Sequence, residues 1–290
     1  MAAGDQHLEL GCSWHEPKHL AHRIWQSPPW LGGNRNGPDP RVSFLICGTQ
    51  KAGTTALADY LRRHPQLFVP EQKELHHFDN ESLHWGTGIR AQRRNARRYH
   101  QAFHKAPTGR LWGEATPIYM YWDAAPERIW HYNPAMRILV LLRNPIERAY
   151  SHWAMEVARG ADPLDFADAL SQEAERCRSA LPLQHRVFSY MDRGFYSGQL
   201  RRLWRFFGNE AVLVLRQDHL RQAPQRCLDG ICQHLGVAPF GSVEPLEQHV
   251  GRYGKAMDPN IRERLRGIFA NEIHQLEAML GWDCSDWLEG

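Results

Sequence analysis

The sequence predicts a three-layer α/β fold with a central parallel sheet, on the basis of three observations. Residues 42–47, 138–142 and 211–215 are short, continuous apolar runs, which are typical of strands buried on both faces. Segments with apolar residues at helical spacing lie between and after these runs. This alternation of strands and helices favours a parallel sheet covered on both sides. The turns after the first two runs carry glycine, lysine and arginine. Because ligands bind beyond the carboxyl ends of parallel strands, we expect the functional site at these turns.

Each apolar run is followed by a predicted helix. After the first run, Leu57 and Leu61 lie at helical spacing and define an apolar face. After the second run, Asn144 is expected to cap a helix and Pro145 to open it. Further helical patterns occupy about residues 196–207, residues 224–235, and the segment from Asp258-Pro259 onward.

Length and composition restrict the class of protein. The chain has 290 residues, 42% of them hydrophobic, which is enough for one sizeable core. We expect an N-terminal extension at residues 1–40, which ends in a turn-rich stretch, and one domain at residues 41–290. A formal net charge of only +3 argues against a general nucleic-acid surface.

Compartment and redox state can also be predicted. The six cysteines are scattered, which favours reduced thiols over a disulfide framework. The N-terminus lacks the apolar stretch of a signal peptide, and no run approaches the ~18 apolar residues of a membrane span. We therefore expect a cytoplasmic protein without stable membrane insertion; the oligomeric state is not predictable.

The turn after the first strand has the features of an anion site. Gly48 and Gly53 allow close backbone approach to an anion, and a helix begins immediately afterwards. A nucleoside triphosphate loop would need Lys directly after the second Gly, whereas here the only Lys is Lys51, inside the turn. The second strand ends in Arg143 rather than in the acidic residue that a magnesium–ATP site needs. A plain tight connection remains the alternative interpretation.

Six motifs occur in an order that resembles the PAPS-dependent sulfotransferase family, where PAPS is 3′-phosphoadenosine 5′-phosphosulfate. They are GTQKAGTTAL, KELHHFD, GEATPIYM, LLRNPIERAYSHW, RGFYSGQLRRLW and VGRYGKAMDP. The resemblance covers about residues 42–285 and is closer to the heparan-sulfate-type branch (N- and 3-O-sulfotransferase-like) than to the cytosolic hormone-type branch. The resemblance implies a nucleotide-fold-like core that needs no metal, and adenosine 3′,5′-bisphosphate as the second product.

The resemblance also implies cofactor-binding residues. Lys51 would hold the 5′-phosphate and stabilise the leaving group, a role suited to a preorganised cation. Arg143 and Ser151 match the pair that grips the 3′-phosphate, and a late glycine-rich loop matches the one that closes over it. The phosphosulfate loop comprises Lys51, Ala52, Gly53, Thr54 and Thr55, and the late loop comprises Gly251, Arg252, Tyr253, Gly254 and Lys255. Many relatives carry Lys where this chain has Val250.

The KELHHFD motif supplies the predicted catalytic and acceptor-binding residues. The resemblance makes Glu74 the first choice of general base, followed by His76 and then His77, which replaces a usual Phe. Lys73 joins them as an acceptor-binding residue. A polar loop without a catalytic role is the alternative. Close relatives often have Lys where this chain has Ala115, which weakens the prediction of heparan-like acceptor recognition.

Residues 82–113 contain arginine and lysine but no acidic residue. On a helix, Arg90, Arg94 and Arg97 would share one face, which either docks a polyanionic acceptor or is simply solvated. The predicted acceptor is a carbohydrate, or a small or carrier-bound metabolite, that receives sulfate on a hydroxyl or amine. Two alternatives stay open at this point: a kinase-like phosphoryl-transfer enzyme, and a nucleotide-binding module without turnover.

Overall fold

The computed structural model describes residues 41–84, 88–244, 246 and 256–289. The predicted N-terminal extension at residues 1–40 and the late loop at residues 251–255 lie outside the described residues. Within the described ranges, no helix is long and apolar enough to cross a membrane.

A five-stranded parallel sheet forms the centre of the fold, with strand order β2-β3-β1-β4-β5. The strands are β1 Val42–Gly48, β2 Leu67–Phe68, β3 Leu111–Ala115, β4 Arg137–Leu142 and β5 Val212–Arg216. The three predicted strands correspond to β1, β4 and β5. The sequence did not predict β2, which has two residues, or β3, where Gly113 and Glu114 interrupt the apolar pattern.

Helices connect the strands and cover the sheet. They are α1 Thr54–Arg62, α2 Glu81–His84, α3 Ile89–His100, α4 Ala125–Tyr132, α5 Pro145–Ala158, α6 Phe166–Arg178, α7 Tyr196–Phe207, α8 Gln217–Gln222, α9 Pro224–Leu235, α10 Pro259–Leu280 and α11 Asp286–Glu289. The helices α7, α9 and α10 begin at the predicted residues. As predicted, Asn144 caps α5, because its Oδ1 accepts a hydrogen bond from the Ile146 amide at 2.9 Å.

Two apolar cores confirm the three-layer architecture. In β4, Ile138 and Val140 face the core that includes residues of α4, α5, α7 and α10. Leu139 and Leu141 face the opposite core, which α1 and α9 cover through residues such as Leu57 and Ile231. Alternation along one buried strand therefore supplies both faces of the sheet with apolar side chains.

Candidate active site

The turn between β1 and α1 is held against the sheet by backbone hydrogen bonds. The amide of Thr49 donates to the carbonyl oxygen of Leu141 at 2.8 Å, and the amide of Ala52 donates to that of Thr49 at 3.0 Å. Lys51 and Gly53 adopt left-handed backbone conformations, with φ of 74° and 86°. Such a conformation is uncommon for lysine, and non-glycine residues in it concentrate at functional sites.

The N-terminus of α1 is available to an anion. Gly53 is the N-cap residue, no side chain caps the helix, and its first turn contains no acidic residue. The first amides of a helix have no intrahelical partner, and the helix dipole favours negative charge there. Lys73 reaches this end of the helix, because its Nζ donates to Thr55 Oγ1 at 2.6 Å. Burial lowers the pKa of Lys73.

Arg143 connects the end of β4 to this turn. Its guanidinium donates to the carbonyl oxygen of Lys51 at 3.1 Å and lies 3.8 Å from the Glu147 carboxylate. The Tyr196 hydroxyl donates to the backbone carbonyl of Arg143 at 2.9 Å. The tertiary structure thus brings together two predicted cofactor-binding residues that are 92 positions apart in the chain.

Ser151 and its neighbour His152 lie on α5, and both are buried. The Nε2 atom of His152 is 3.5 Å from Glu156 Oε1, yet neither ring nitrogen has a hydrogen-bond partner among the described residues. Burial, together with the charges of Arg193 and Lys51, holds the pKa of His152 well below its usual value. A neutral imidazole therefore lies close to the predicted anion loop. The sequence analysis assigned it no role.

The KELHHFD segment follows β2 and is hydrogen-bonded to the last residue of β3 and to the turn that follows β3. The amide of Glu74 donates to the carbonyl oxygen of Ala115 at 3.0 Å, and the amide of His77 donates to the Tyr119 hydroxyl at 2.9 Å. Glu74 and His76 both have positive φ, 57° and 50°. These contacts hold the segment near the carboxyl ends of the central strands, where the fold predicts a ligand.

His76 lies between two carboxylates. Its Nδ1 is 2.9 Å from Asp79 Oδ2, and its Nε2 is 3.6 Å from Glu74 Oε2. Hydrogen bonds to Asp79 and then Glu74 raise the pKa of His76 to about 9, and the bond to His76 lowers the pKa of Glu74. At neutral pH the imidazole is therefore protonated and Glu74 is ionised.

His77 has a different environment from His76, although the two residues are adjacent in the chain. Its ring stacks on Tyr99 with centroids 4.3 Å apart, and it lines a separate cavity of about 610 Å³ with residues such as Arg128 and His131. Burial lowers the pKa of His77 to about 3, so this imidazole is neutral. The structure pairs Glu74 with His76 and leaves His77 outside that pair.

Two arginines that were not predicted as site residues bind the two segments of the site, one the KELHHFD segment and the other the anion loop. Arg186 donates to the Asp79 carboxylate and to the Asp79 backbone carbonyl. Arg193 is buried and donates to the Gln50 side chain, within the anion loop, and to Ser189 Oγ at 2.8 Å. Arg193 opens the RGFYSGQLRRLW motif, and this was the sequence signal that could have identified it.

Glu114, from the GEATPIYM motif, is a buried hydrogen-bond acceptor beneath the site. It accepts hydrogen bonds from the hydroxyls of Tyr99 at 2.8 Å, Thr116 at 2.9 Å and Tyr119 at 2.9 Å. Burial raises the pKa of Glu114. Since Tyr119 also binds the His77 amide, this network supports the segment that carries Glu74.

The arginine-rich stretch forms α3. Arg90, Arg94 and Arg97 are all exposed on this helix. Their exposure fits both a solvated face and a polyanion-binding face.

A family profile described as "Sulfotransferase domain" matches residues 41–253. Human bifunctional heparan sulfate N-deacetylase/N-sulfotransferase 2 is 26% identical over 308 residues, which cover 91% of this chain and 33% of that protein. Mouse heparan sulfate glucosamine 3-O-sulfotransferase 6 is 27% identical over 225 residues, which cover 77% of this chain and 60% of that protein. The chain thus spans about a third of the length of the first of these relatives.

A solved structure matches over most of its length. The crystal structure of a sulfotransferase from Alicyclobacillus acidocaldarius is 30% identical, with a TM-score of 0.71, and the match covers 85% of this chain and 98% of that chain. The predicted fold class and the predicted resemblance to the heparan-sulfate-type branch are both confirmed.

Proposed function

Because the chain belongs to the sulfotransferase family, we propose that it transfers a sulfuryl group from PAPS to a hydroxyl or amine of a carbohydrate or carrier-bound metabolite. Sulfuryl transfer as the reaction class follows from the family. The cofactor, the acceptor and the residue roles are the proposal, as is one functional domain over residues 41–290.

The contact between Arg143 and the carbonyl oxygen of Lys51 is the observation that carries the proposal. This contact places the Arg143 guanidinium, at the end of β4, against the loop that precedes α1. The guanidinium and the first amides of α1 are therefore two neighbouring groups that can each bind an anion. A guanidinium can donate two parallel hydrogen bonds to one phosphate, and the amides at a helix N-terminus can bind a second anionic group. PAPS has this pattern, because its 3′-phosphate is separate from its 5′-phosphosulfate.

Lys51 and the first amides of α1 would bind the 5′-phosphosulfate, which supplies the sulfuryl group when PAPS is bound. Ala52, Gly53, Thr54 and Thr55 complete that loop, while Ser151 and the loop from Gly251 to Lys255 would assist Arg143 at the 3′-phosphate. Lys51 is placed to stabilise the negative charge that grows on the departing phosphate oxygen. Lys73, at the same end of α1, adds a second cation there.

Glu74 is the proposed general base. Its pKa is lowered, chiefly by the hydrogen bond to His76, so it is ionised and can take the acceptor proton at neutral pH. His76 already carries a proton below about pH 9 and would instead hold Glu74 in place. His77 is neutral but stacks on Tyr99, so it is a weaker candidate for direct contact with the acceptor.

The acceptor class is proposed from the relatives, which are described as acting on heparan sulfate. We infer a sugar acceptor more generally, because Ala115 stands where close relatives have an acceptor-side lysine. The exposed arginines of α3 suit an acceptor with negative groups. A cytoplasmic location stays a prediction.

A binding experiment separates this proposal from phosphoryl transfer. Adenosine 3′,5′-bisphosphate and magnesium–ATP are titrated separately by calorimetry into the wild type, Arg143→Gln and Arg252→Gln. Because hydrogen bonds to charged groups contribute about 1.5–3 kcal/mol, we expect each variant to bind the bisphosphate about tenfold to a hundredfold more weakly. Arg137→Gln is the matched control, since Arg137 is exposed at the other end of β4.

Two results would contradict the proposal. Binding of magnesium–ATP alone would favour a kinase-like enzyme. Unchanged bisphosphate affinity when both Arg143 and Arg252 are replaced would remove the proposed phosphate site. Transfer of radiolabelled sulfate from PAPS to a panel of sugars then separates an enzyme from a non-catalytic binding module.

A further inference from the structure

A second cavity lies beside the proposed active site, against α7. It has a volume of about 420 Å³, which is within the usual range for small-molecule sites. The segment between α6 and α7 forms one wall through residues such as Leu181 and His185. Asp192 of the same segment, and Gly198 and Gln199 of α7, also line the cavity.

The charged groups around this cavity balance one another. Two aspartates and two arginines line it, so its formal charge is zero when the histidine is neutral. The arginines are engaged: Arg202 pairs with Asp123, and Arg178 lies 2.9 Å from Glu175. The cavity therefore favours an uncharged ligand over a phosphate or sulfate group.

The polar groups of the cavity include both donors and acceptors. The backbone amides of Val187 and Phe188 donate to His185 Nδ1 at 3.1 and 2.9 Å, so the remaining ring nitrogen, Nε2, carries the proton and is a donor. Asp192 Oδ2 accepts a hydrogen bond from Tyr121 at 2.6 Å, and its carboxylate has further acceptor capacity.

The exposed lining of the cavity includes apolar side chains. Leu181 is 68% exposed and Phe195 is 38% exposed, and both line the cavity. Exposed apolar side chains of this size offer contact area to the apolar face of a ligand. A ligand that fits all these features needs an apolar face and several hydroxyl groups, because a hydroxyl both donates and accepts hydrogen bonds. A sugar ring has this combination.

Gly198 keeps the cavity open. It lies on α7, and a Cβ atom built on it would meet no heavy atom within 4 Å outside its own helix. Glycine within a helix is less stable than alanine, and the backbone here does not require it. A larger side chain at this position would extend from α7 into the space that the cavity lining encloses.

We propose that this cavity is an accessory binding site for an uncharged sugar unit. The segment that lines it continues into Arg186 and Arg193, which hold Asp79 and Gln50 of the proposed active site. A sugar bound here would lie next to the acceptor cleft. This is where a neighbouring unit of a carbohydrate acceptor, or a separate sugar, would be held.

The test measures binding without nucleotide or turnover, so its result does not depend on the proposed function. Cellobiose, maltose and N,N′-diacetylchitobiose are titrated and followed by saturation-transfer NMR and calorimetry. The variants are Gly198→Leu, which fills the cavity, and Gly267→Leu, a control on α10 where a Cβ also meets no atom. We expect millimolar binding of at least one disaccharide, unchanged in Gly267→Leu and at least about tenfold weaker in Gly198→Leu.

Circular dichroism and thermal unfolding check that each variant is folded. If Gly198→Leu does not fold, Leu181→Ser replaces it, because this exposed rim residue can lose its apolar contact without affecting the core; severalfold weaker binding is expected. The proposal is overturned if the wild type binds none of the three sugars, or if the folded cavity variant binds as well as the wild type. If Glu74→Gln abolishes binding and Gly198→Leu preserves it, the sugar binds in the acceptor cleft. That result also overturns the proposal.

Discussion

The Glu74→Gln substitution tests the electrostatic arrangement of the proposed active site. In the wild type, His76 lies 3.6 Å from Glu74, and their side chains are 42% and 40% exposed. Because both groups contact solvent, a water-like dielectric is appropriate, and the attraction at this distance is about 1.2 kcal/mol. Loss of this attraction lowers the pKa of His76 by about 0.8 unit, from about 9 to near 8. Asp79 keeps the pKa above the usual 6.5 because its hydrogen bond remains.

The same substitution removes the proposed general base. We expect kcat for sulfuryl transfer to fall by about 10²–10⁴, while the affinity for adenosine 3′,5′-bisphosphate stays unchanged. His76 is a cation below its pKa and neutral above it. In the variant, the His76 ring should therefore lose its charge at a lower pH than in the wild type, by the same amount as its pKa falls.

NMR titration of the histidine ring protons measures the pKa directly, with the His76 signal assigned from a His76→Asn variant. Glu71→Gln is the matched control, since it removes a nearby exposed negative charge. The reasoning is refuted if His76 titrates near 6.5 in the wild type, or if Glu74→Gln leaves its pKa unchanged. An equal shift in Glu71→Gln would also refute it, since the effect would then not come from the contact.

Three further substitutions test other parts of the structure. Lys51→Met should lower kcat by about 10²–10³, because one preorganised donor contributes about 2.7–4 kcal/mol to the transition state. The control Lys105→Met, at an exposed site, should leave kcat unchanged; equal kcat values for the two variants would contradict the proposed role of Lys51. Glu114→Leu should lower the free energy of unfolding in urea by about 3 kcal/mol or more, because three buried hydroxyls lose their acceptor; a loss under about 1 kcal/mol would argue against that network. Burial raises the pKa of Glu173 to about 7 from 4.5, so the folded state holds a proton that the unfolded state has released. Between about pH 4.5 and 7, the free energy of unfolding of the wild type should therefore decline by about 3 kcal/mol more than that of Glu173→Gln; an equal decline in the two proteins would exclude Glu173 as a source.

Local patterns predicted the elements that have strong apolar runs or helix signals. Helices α7 and α9 occupy the predicted residues, and Asn144 caps α5 as expected. Strand β3 was missed because its buried Glu114 is stabilised by hydroxyl groups from α3 and from the turn after β3, which no local pattern reports.

The sequence by itself determined the fold class and the loop that carries Lys51, because these depend on spacing along the chain, and its ordered motifs carried the resemblance to the family. Only the tertiary structure decided the protonation of the two adjacent histidines, and it brought Arg193 to Gln50 across 143 positions. Burial and contacts between distant segments set pKa values, and neither quantity is encoded in local spacing. For the same reason, His76 and His77 look equivalent in the sequence and differ in the folded protein, where one meets two carboxylates and the other an aromatic ring.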